Sequence, residues 1–373
     1  MSVRITVLIS SLNQGGAERA FTHIANGLFR AGCDVEFVTA LSADGVYREE
    51  VACGMPFVNL NAGRQRYLPQ KLGRYLSVRK PDILMSALMS NWTIAIGKLA
   101  RPLPKIVVSE RQVLSLRIAR DEQRLFANVS YAFTKLLYPK ADRIVAVSRG
   151  VADDLLKLGV ARPEQIRVIH NPVVTDYFEK QIEEEPSRPL LHPTLPNIVT
   201  AGRLRSDKNH LLLLDAFAML RRERPCRLVI FGEGELRAEL ERKVKDLGLE
   251  GDVLLPGFVI NPFPYFARAD CFVLSSLIEG LPNVLIQALA CGTMPVSTNC
   301  PSGPDEILDG GKYGILTPVG DADALARGMR RALECPIDSG LLKKRAQLYS
   351  ERNCVDAYMR LFDELTEGEA SRA

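Results

Sequence analysis

The sequence predicts an α/β chain built from two doubly wound domains, and three observations carry that reading. Short β-branched runs alternate with helix-length amphipathic segments almost throughout, the pattern of parallel strands covered on both faces. These runs fall into two series. The 373 residues are also enough for two separate cores.

In the first series the strands are expected at 3–10 (VRITVLIS), 35–40, 56–60, 82–87, 105–110, 143–148 and 166–170. In the second they are expected at 197–202, 227–232, 252–257, 271–276 and 293–298. Between the series, 172–196 (PVVTDYFEKQIEEEPSRPLLHPTLP) holds five prolines and an acidic run, a linker signature. The expected domains are therefore 1–175 and 190–352. In such folds ligands bind beyond the carboxyl ends of the strands, so the chemistry is sought at the strand-to-helix junctions.

Composition narrows the setting. Hydrophobic residues make up 47% and charged residues 25%, ordinary for a globular protein. Eight scattered cysteines show no CxxC or metal-type spacing, and seven lie in or beside apolar runs. They read as small buried residues in a reducing compartment. The N-terminus reads as a first strand and not a signal peptide, and no run approaches the roughly 18 apolar residues that cross a bilayer. A cytoplasmic protein is expected. The net charge of +4 divides unevenly: +10 over residues 1–175 and −6 over 176–373. A basic first half suggests an anionic partner.

At the first junction, SLNQGGAERA (11–20), Gly15 and Gly16 precede a helix whose inner face is Phe21, Ile24, Ala25 and Leu28. Paired glycines permit close backbone approach, and a helix N-terminus offers N–H groups to an anion. A tight βα turn explains them equally well. No GxGxxG follows any strand, which argues against a dinucleotide dehydrogenase. At VTAGRLRSDKNH (199–210), Gly202 is followed by Arg203 and Lys208, with Asp207 the expected cap of the next helix. A planar fork and a point charge five residues apart suit a diphosphate; solvated helix-entry charges are the alternative. FGEGELRAEL (231–240) offers Gly232 and Glu233, for phosphate approach or for a sharp turn.

The richest junction is SSLIEGLPNVLIQALACG (275–292). Glu279 and Gly280 form a turn, and Pro282 is expected at the first helical position. Backbone N–H groups around Leu281, Asn283 and Val284 would face a phosphate, Glu279 would accept from sugar hydroxyls, and Gln287 would reach the nucleotide.

GGAER, AGRLRSDKNH, GEGELR, PGF, the stretch from Ala269 to Thr298 and PSGPDEIL occur in the order seen in family 4 glycosyltransferases. The chain resembles bacterial members that build polysaccharide, lipopolysaccharide or lipid-linked glycans, and the resemblance covers nearly its whole length. It implies the GT-B fold, two Rossmann-like domains with parallel sheets facing a central cleft, and a last helix (about 353–373) packed back on the first domain. It implies a nucleotide-sugar donor (UDP-, GDP- or ADP-sugar) and a glycan or polyprenyl-linked acceptor. Gly15 and Gly16 match the loop near the donor phosphate. Arg203 and Lys208 match the pair that neutralises the diphosphate, and Glu279 the first glutamate of the paired-glutamate motif. Leu281–Asn283 would hold the distal phosphate, with Val284 beside the nucleotide.

Two positions depart from the family pattern. The second motif glutamate, a ribose partner, is Gln287 here. An amide can still accept from one hydroxyl, so donor affinity should fall by ~1–2 kcal/mol without loss of chemistry. Where relatives often carry a histidine, this chain has Ser109-Glu110-Arg111, and none of His23, His170, His192 and His210 replaces it.

The resemblance further implies retention of anomeric configuration by front-face attack. Catalysis would then consist of positioning and charge neutralisation, with no metal or other cofactor required. Asp321-Ala322-Asp323 matches the Asp-x-Asp metal motif of another glycosyltransferase fold but reads better as a helix start. Segments 63–80 and 111–140 interleave basic and apolar residues, as helices on anionic membranes do; core-facing helices with solvated faces are the alternative. Nucleic acid is not expected. The leading expectation is a glycosyltransferase peripheral to the inner face of the cell membrane. The rivals are a soluble enzyme of the same fold acting on a small sugar or sugar phosphate, and a nucleotide-sugar-binding protein without catalysis.

Overall fold

Two all-parallel sheets organise the described residues of the computed structural model, which are 3–13, 15–120 and 124–370. The chain divides into one unit of Met1–Pro172 with Ser350–Ala373 and a second of Val173–Tyr349. The first sheet contains β1 (Arg4–Ile9), β2 (Asp34–Thr39), β3 (Phe57–Asn59), β4 (Ile83–Ala87), β5 (Lys105–Glu110), β6 (Arg143–Ala146) and β7 (Ile166–Val168). Its order is β3-β2-β1-β4-β5-β6-β7. The second contains β8 (Asn197–Ala201), β9 (Arg227–Phe231), β10 (Val253–Gly257), β11 (Cys271–Leu274), β12 (Met294–Thr298) and β13 (Ile315–Thr317). Its order is β10-β9-β8-β11-β12-β13.

The strand order reverses between β1 and β4, and again between β8 and β11. A doubly wound sheet opens its binding crevice beyond the strand ends at such a point. The edge strand β13 has no counterpart among the expected strands. It is three residues long, held between Gly314 and Pro318, and is a strand only because it pairs with Val296–Thr298.

In the first unit, Ile5, Val7 and Ile9 bury one sheet face against Phe21, Ile24 and Leu28 of the helix Gly16–Arg30. Tyr358 and Phe362 of the helix Glu351–Ala370 complete that core. Each such side chain contributes about 1.5–3 kcal/mol when fully buried. On the other face Leu8, Val38 and Leu84 meet Leu68, Leu72 and Leu76 of the helix Leu68–Arg79. The apolar side of the basic segment 63–80 is therefore spent on the core. Leu125 and Phe126 of the other basic segment have side chains outside those described.

In the second unit, Ile198 and Ile230 pack against Leu213 and Phe217 of the helix His210–Glu223 and Met329 of the helix Ala322–Glu334. The proline-rich stretch 173–196 belongs to this unit. Val173 and Val174 donate their amides to the Tyr349 carbonyl, and Phe178 is buried 4.5 Å from the Phe263 ring centroid. Proline density here marks an ordered strap. Of the cysteines, Cys226, Cys271, Cys291, Cys300 and Cys354 are buried, Cys33 is partly so, and Cys53 and Cys335 are exposed. The last two correct the expectation of burial, because flanking apolar residues do not say which side of the chain faces inward.

Candidate active site

β8 and β11 lie side by side at the switch point, and the segments leaving them are stitched together. The Leu277 amide donates to the Asp207 carbonyl (2.8 Å), and Ser275 Oγ donates to the Lys208 carbonyl (2.8 Å). Asp207 is not the helix cap expected of it. It lies in a 3₁₀ turn, Ser206–Lys208, and its carboxylate pairs with Arg205 (3.2 Å). Asn209, in the left-handed region at φ 51°, heads the helix His210–Glu223 instead. That tight reversal turns the Lys208 side chain toward the β11 junction.

There Lys208 Nζ donates to Glu279 Oε1 at 2.5 Å, and Ser276 Oγ donates to the same oxygen at 2.7 Å. Glu279 Oε2 takes part in neither bond. The Glu279 side chain is 9% exposed and that of Lys208 24%, so the pair is screened from bulk water yet open on one side. Burial works against the lysine charge, but the adjacent Glu279 carboxylate outweighs it, and the Lys208 pKa lies above the usual lysine range. His210, two residues on, is pushed down to about 4 by burial and by the Lys208 charge. It is neutral under ordinary conditions, with a buried Nδ1 that has no hydrogen-bond partner. Burial and Glu279 push the nearby Cys300 thiol up to about 12. Lys208 and Glu279 thus form a close ion pair beside two neutral groups, His210 and Cys300, with the Asp207 carboxylate also acting on the lysine. Arg203 lies exposed five residues before Lys208 on the same segment.

The turn after Glu279 ends in the helix Asn283–Cys291, so Pro282 is its cap and not its first residue. The first helical bond runs from the Leu285 amide to the Pro282 carbonyl (3.0 Å), and the amides of Asn283 and Val284 precede it. Ser302 Oγ holds the turn by donating to the Gly280 carbonyl (2.7 Å). Gly303, at φ 96°, lets that segment approach: a Cβ there would lie 2.4 Å from Pro282 Cδ. Leu281 is buried, whereas Asn283, Val284 and Gln287 are half-buried on the first turns of the helix. Cationic loop, carboxylate and helix N-terminus therefore converge at one junction, a geometry suited to a sugar linked to a diphosphate.

Gly202 and Gly232 meet where β8 and β9 end. A Cβ on Gly232 would fall 1.9 Å from the Gly202 carbonyl oxygen, so the glycine permits the β8 and β9 loops to touch. Glu233 is exposed and ion-paired with Arg237 at 2.6 Å. Asp321 caps its helix, accepting from the Ala324 amide at 2.8 Å. Ser275, Ser276 and Ser302 support the site and are not among the expected site residues; their sequence signals are the serine pair that follows β11 and the PSGPDEIL motif.

In the first unit, Gly15 is the extended cap (φ −152°) of the helix Gly16–Arg30 after β1, and Gly16 is exposed. At the end of β5, Glu110 and Arg111 are both buried. Glu110 accepts from Tyr138 Oη (2.8 Å) and from the Arg111 amide (3.1 Å). Arg111 donates to Asn171 Oδ1 (2.6 Å) and lies over the Phe21 ring at 5.4 Å. Burial lowers its pKa from the usual arginine range. His23 bridges the Pro172 carbonyl (3.3 Å) and Glu50 (3.1 Å).

Two family models match, glycosyltransferase family 4 over residues 14–177 and glycosyl transferases group 1 over 181–351. The N-acetylgalactosamine-N,N'-diacetylbacillosaminyl-diphospho-undecaprenol 4-alpha-N-acetylgalactosaminyltransferase of Campylobacter jejuni is 29% identical over 344 residues, 89% of this chain and 90% of that protein. The lipopolysaccharide core biosynthesis glycosyltransferase LpsE of Rhizobium meliloti is 29% identical over 366 residues, covering 93% and 95%. Among solved structures, HepE from Anabaena in complex with UDP and glucose superposes with a TM-score of 0.75 at 19% identity, covering 97% of this chain and 100% of that one. The chain belongs to the group 1, family 4 glycosyltransferases and has the GT-B fold.

Proposed function

We propose that this glycosyltransferase moves a sugar from a nucleoside-diphosphate sugar to a hydroxyl of a lipid-linked glycan in the assembly of a bacterial cell-surface glycan. The observation that carries the reading is the Lys208–Glu279 pair, held beside the N-terminus of the helix Asn283–Cys291. The names of the Campylobacter and Rhizobium relatives, one acting on a diphospho-undecaprenol acceptor and one on lipopolysaccharide core, support the acceptor class.

On this reading Lys208 spends one of its three N–H donors on Glu279 and offers the others to the diphosphate. Arg203 adds its fork, and the Leu281–Asn283 backbone takes the distal phosphate. Glu279, oriented by Lys208 and Ser276, presents Oε2 to a sugar hydroxyl. The reaction proceeds with retention: the acceptor hydroxyl attacks from the face the diphosphate leaves, and the leaving phosphate takes the proton. Neutralisation of charge on that phosphate then supplies most of the acceleration, with no divalent ion in the scheme. Gln287 accepts from the ribose.

The acceptor implies work at the inner membrane surface. No helix among the described residues is long and apolar enough to cross a membrane, so contact is peripheral in this scheme. The test is donor turnover with UDP-, GDP- and ADP-sugars and a polyprenyl-diphosphate-linked acceptor, in the presence of a chelator, with the product anomer read by NMR. Transfer with retention is expected. Donor binding without transfer to lipid-linked or soluble acceptors would reduce the chain to a nucleotide-sugar-binding protein.

A further inference from the structure

Two neighbouring helices of the first unit leave apolar side chains in water. The helix Ser90–Gly97 packs beside the helix Arg124–Leu137, joined by Asn91 Nδ2 donating to Thr134 Oγ1 at 3.1 Å. Trp92 follows Asn91 and Phe133 precedes Thr134, so both residues are chain neighbours of this contact. Trp92 is 38% exposed, Phe133 54% and Leu136 60%, with Val129 exposed one turn before Phe133. Val129, Phe133 and Leu136 fall at i, i+4 and i+7, one stripe of a helix. A monomer's surface rarely keeps such a stripe without a use.

Charge says what covers it. Residues 88–140 carry nine Lys and Arg against three Asp and Glu, which are Glu110, Asp121 and Glu122. Arg101, Lys135 and Lys140 are exposed, and the next carboxylate in the chain, Asp142, is tied to Lys98 at 2.9 Å. A second copy of the chain would set these cations against their own kind. An anionic surface would not. Tryptophan at the edge of an apolar stripe, with basic side chains reaching past it, is the arrangement that settles at a headgroup boundary. The helix Leu68–Arg79, equally basic, lacks this property because Leu68, Leu72 and Leu76 are buried.

We infer that this face docks on an anionic lipid bilayer, with Trp92, Phe133 and Leu136 entering the headgroup boundary and Arg101, Lys135 and Lys140 meeting lipid phosphates. The inference deepens the membrane-borne acceptor proposed above and rests on it. Trp92 is the chain's single tryptophan, so its emission reports directly from the proposed contact.

The experiment adds vesicles of phosphatidylglycerol with phosphatidylcholine, or of phosphatidylcholine alone, to the full chain. Co-sedimentation and tryptophan emission are recorded together. A blue shift with the anionic vesicles only, quenched by brominated acyl chains and reversed by salt, is expected. Phe133→Ser with Leu136→Ser should weaken vesicle binding about tenfold or more. Both positions are exposed, so turnover of a water-soluble acceptor should be retained. Co-sedimentation with an unshifted Trp92 would overturn the assignment of this face while leaving membrane association standing. No co-sedimentation at low salt would overturn the membrane reading as well. A dimer dissociated by Phe133→Ser would make the face a protein interface and overturn the lipid assignment.

Discussion

Two strand-end charge clusters, one in each unit, look alike in sequence and differ in what they leave open. At β8 and β11, Lys208 and Glu279 are paired, but the lysine has further donors and the carboxylate a further oxygen. At the end of β5, Glu110 and Arg111 are fully buried, with Tyr138 and Asn171 as their partners. Ligand chemistry needs charge with capacity remaining; charge committed on every side organises a core. The difference predicts that damage to the first pair falls on turnover and damage to the second on stability.

The largest effect should come from Lys208→Ala. It removes the cation beside the leaving diphosphate and leaves Glu279 with Ser276 alone. A loss of about 10²–10³-fold in turnover is expected, the scale of deleting one preorganised electrostatic group. Circular dichroism and melting temperature should stay near wild type. Glu279→Ala should fall in the same range. Turnover within a few-fold of wild type for Lys208→Ala would break the comparison at its active end.

Arg111→Met tests the other end. It keeps an apolar stem, strips the fork from Asn171 and leaves the buried Glu110 without its neighbouring cation. Stability should fall by about 2–4 kcal/mol, read by denaturant titration, with turnover per folded molecule nearly unchanged. A large loss of turnover at unchanged stability would move Arg111 into the catalytic machinery, where relatives often carry a histidine.

His210 sharpens the contrast through pH. Its pKa is about 4 in the fold against about 6.5 when unfolded, so over that interval the unfolded chain binds more protons. The contribution to stability is complete above about pH 6.5 and is lost as pH falls toward 4, up to about 3 kcal/mol. The Lys208 charge adds to the cost of protonating it, and Asp207 offsets part of this. His210→Leu should flatten the slope of stability against pH over that interval; an unaltered slope would show that His210 is not held neutral.

The sequence was most legible where a motif and its neighbours are contiguous. The order of strands and helices and the Glu279 turn followed from local pattern, because near-neighbour chemistry decides them. It failed where packing decides. β13 is a strand only by pairing with β12. Asp207 has the composition of a cap, but the 3₁₀ turn passes that place to Asn209. Arg111 lies over the ring of Phe21, whose core cluster includes Cys354 and Tyr358 of the helix Glu351–Ala370, more than two hundred residues away. No window along the chain contains that contact.

The smallest effect should come from Gln287→Glu, which asks whether the open cluster needs a third charge. Gln287 is half-buried one helical turn beyond Asn283, on the helix whose N-terminus faces the proposed phosphates. A carboxylate there would accept ribose hydroxyls more strongly than an amide carbonyl, yet it would add negative charge close to the diphosphate. The two contributions oppose, so donor affinity should change by only ~1–2 kcal/mol, with transfer retained. KM for the donor should move while kcat stays within a few-fold. Lost turnover in a folded Gln287→Glu variant would mean that Gln287 acts as a donor, through its NH₂, and that the ribose reading is wrong.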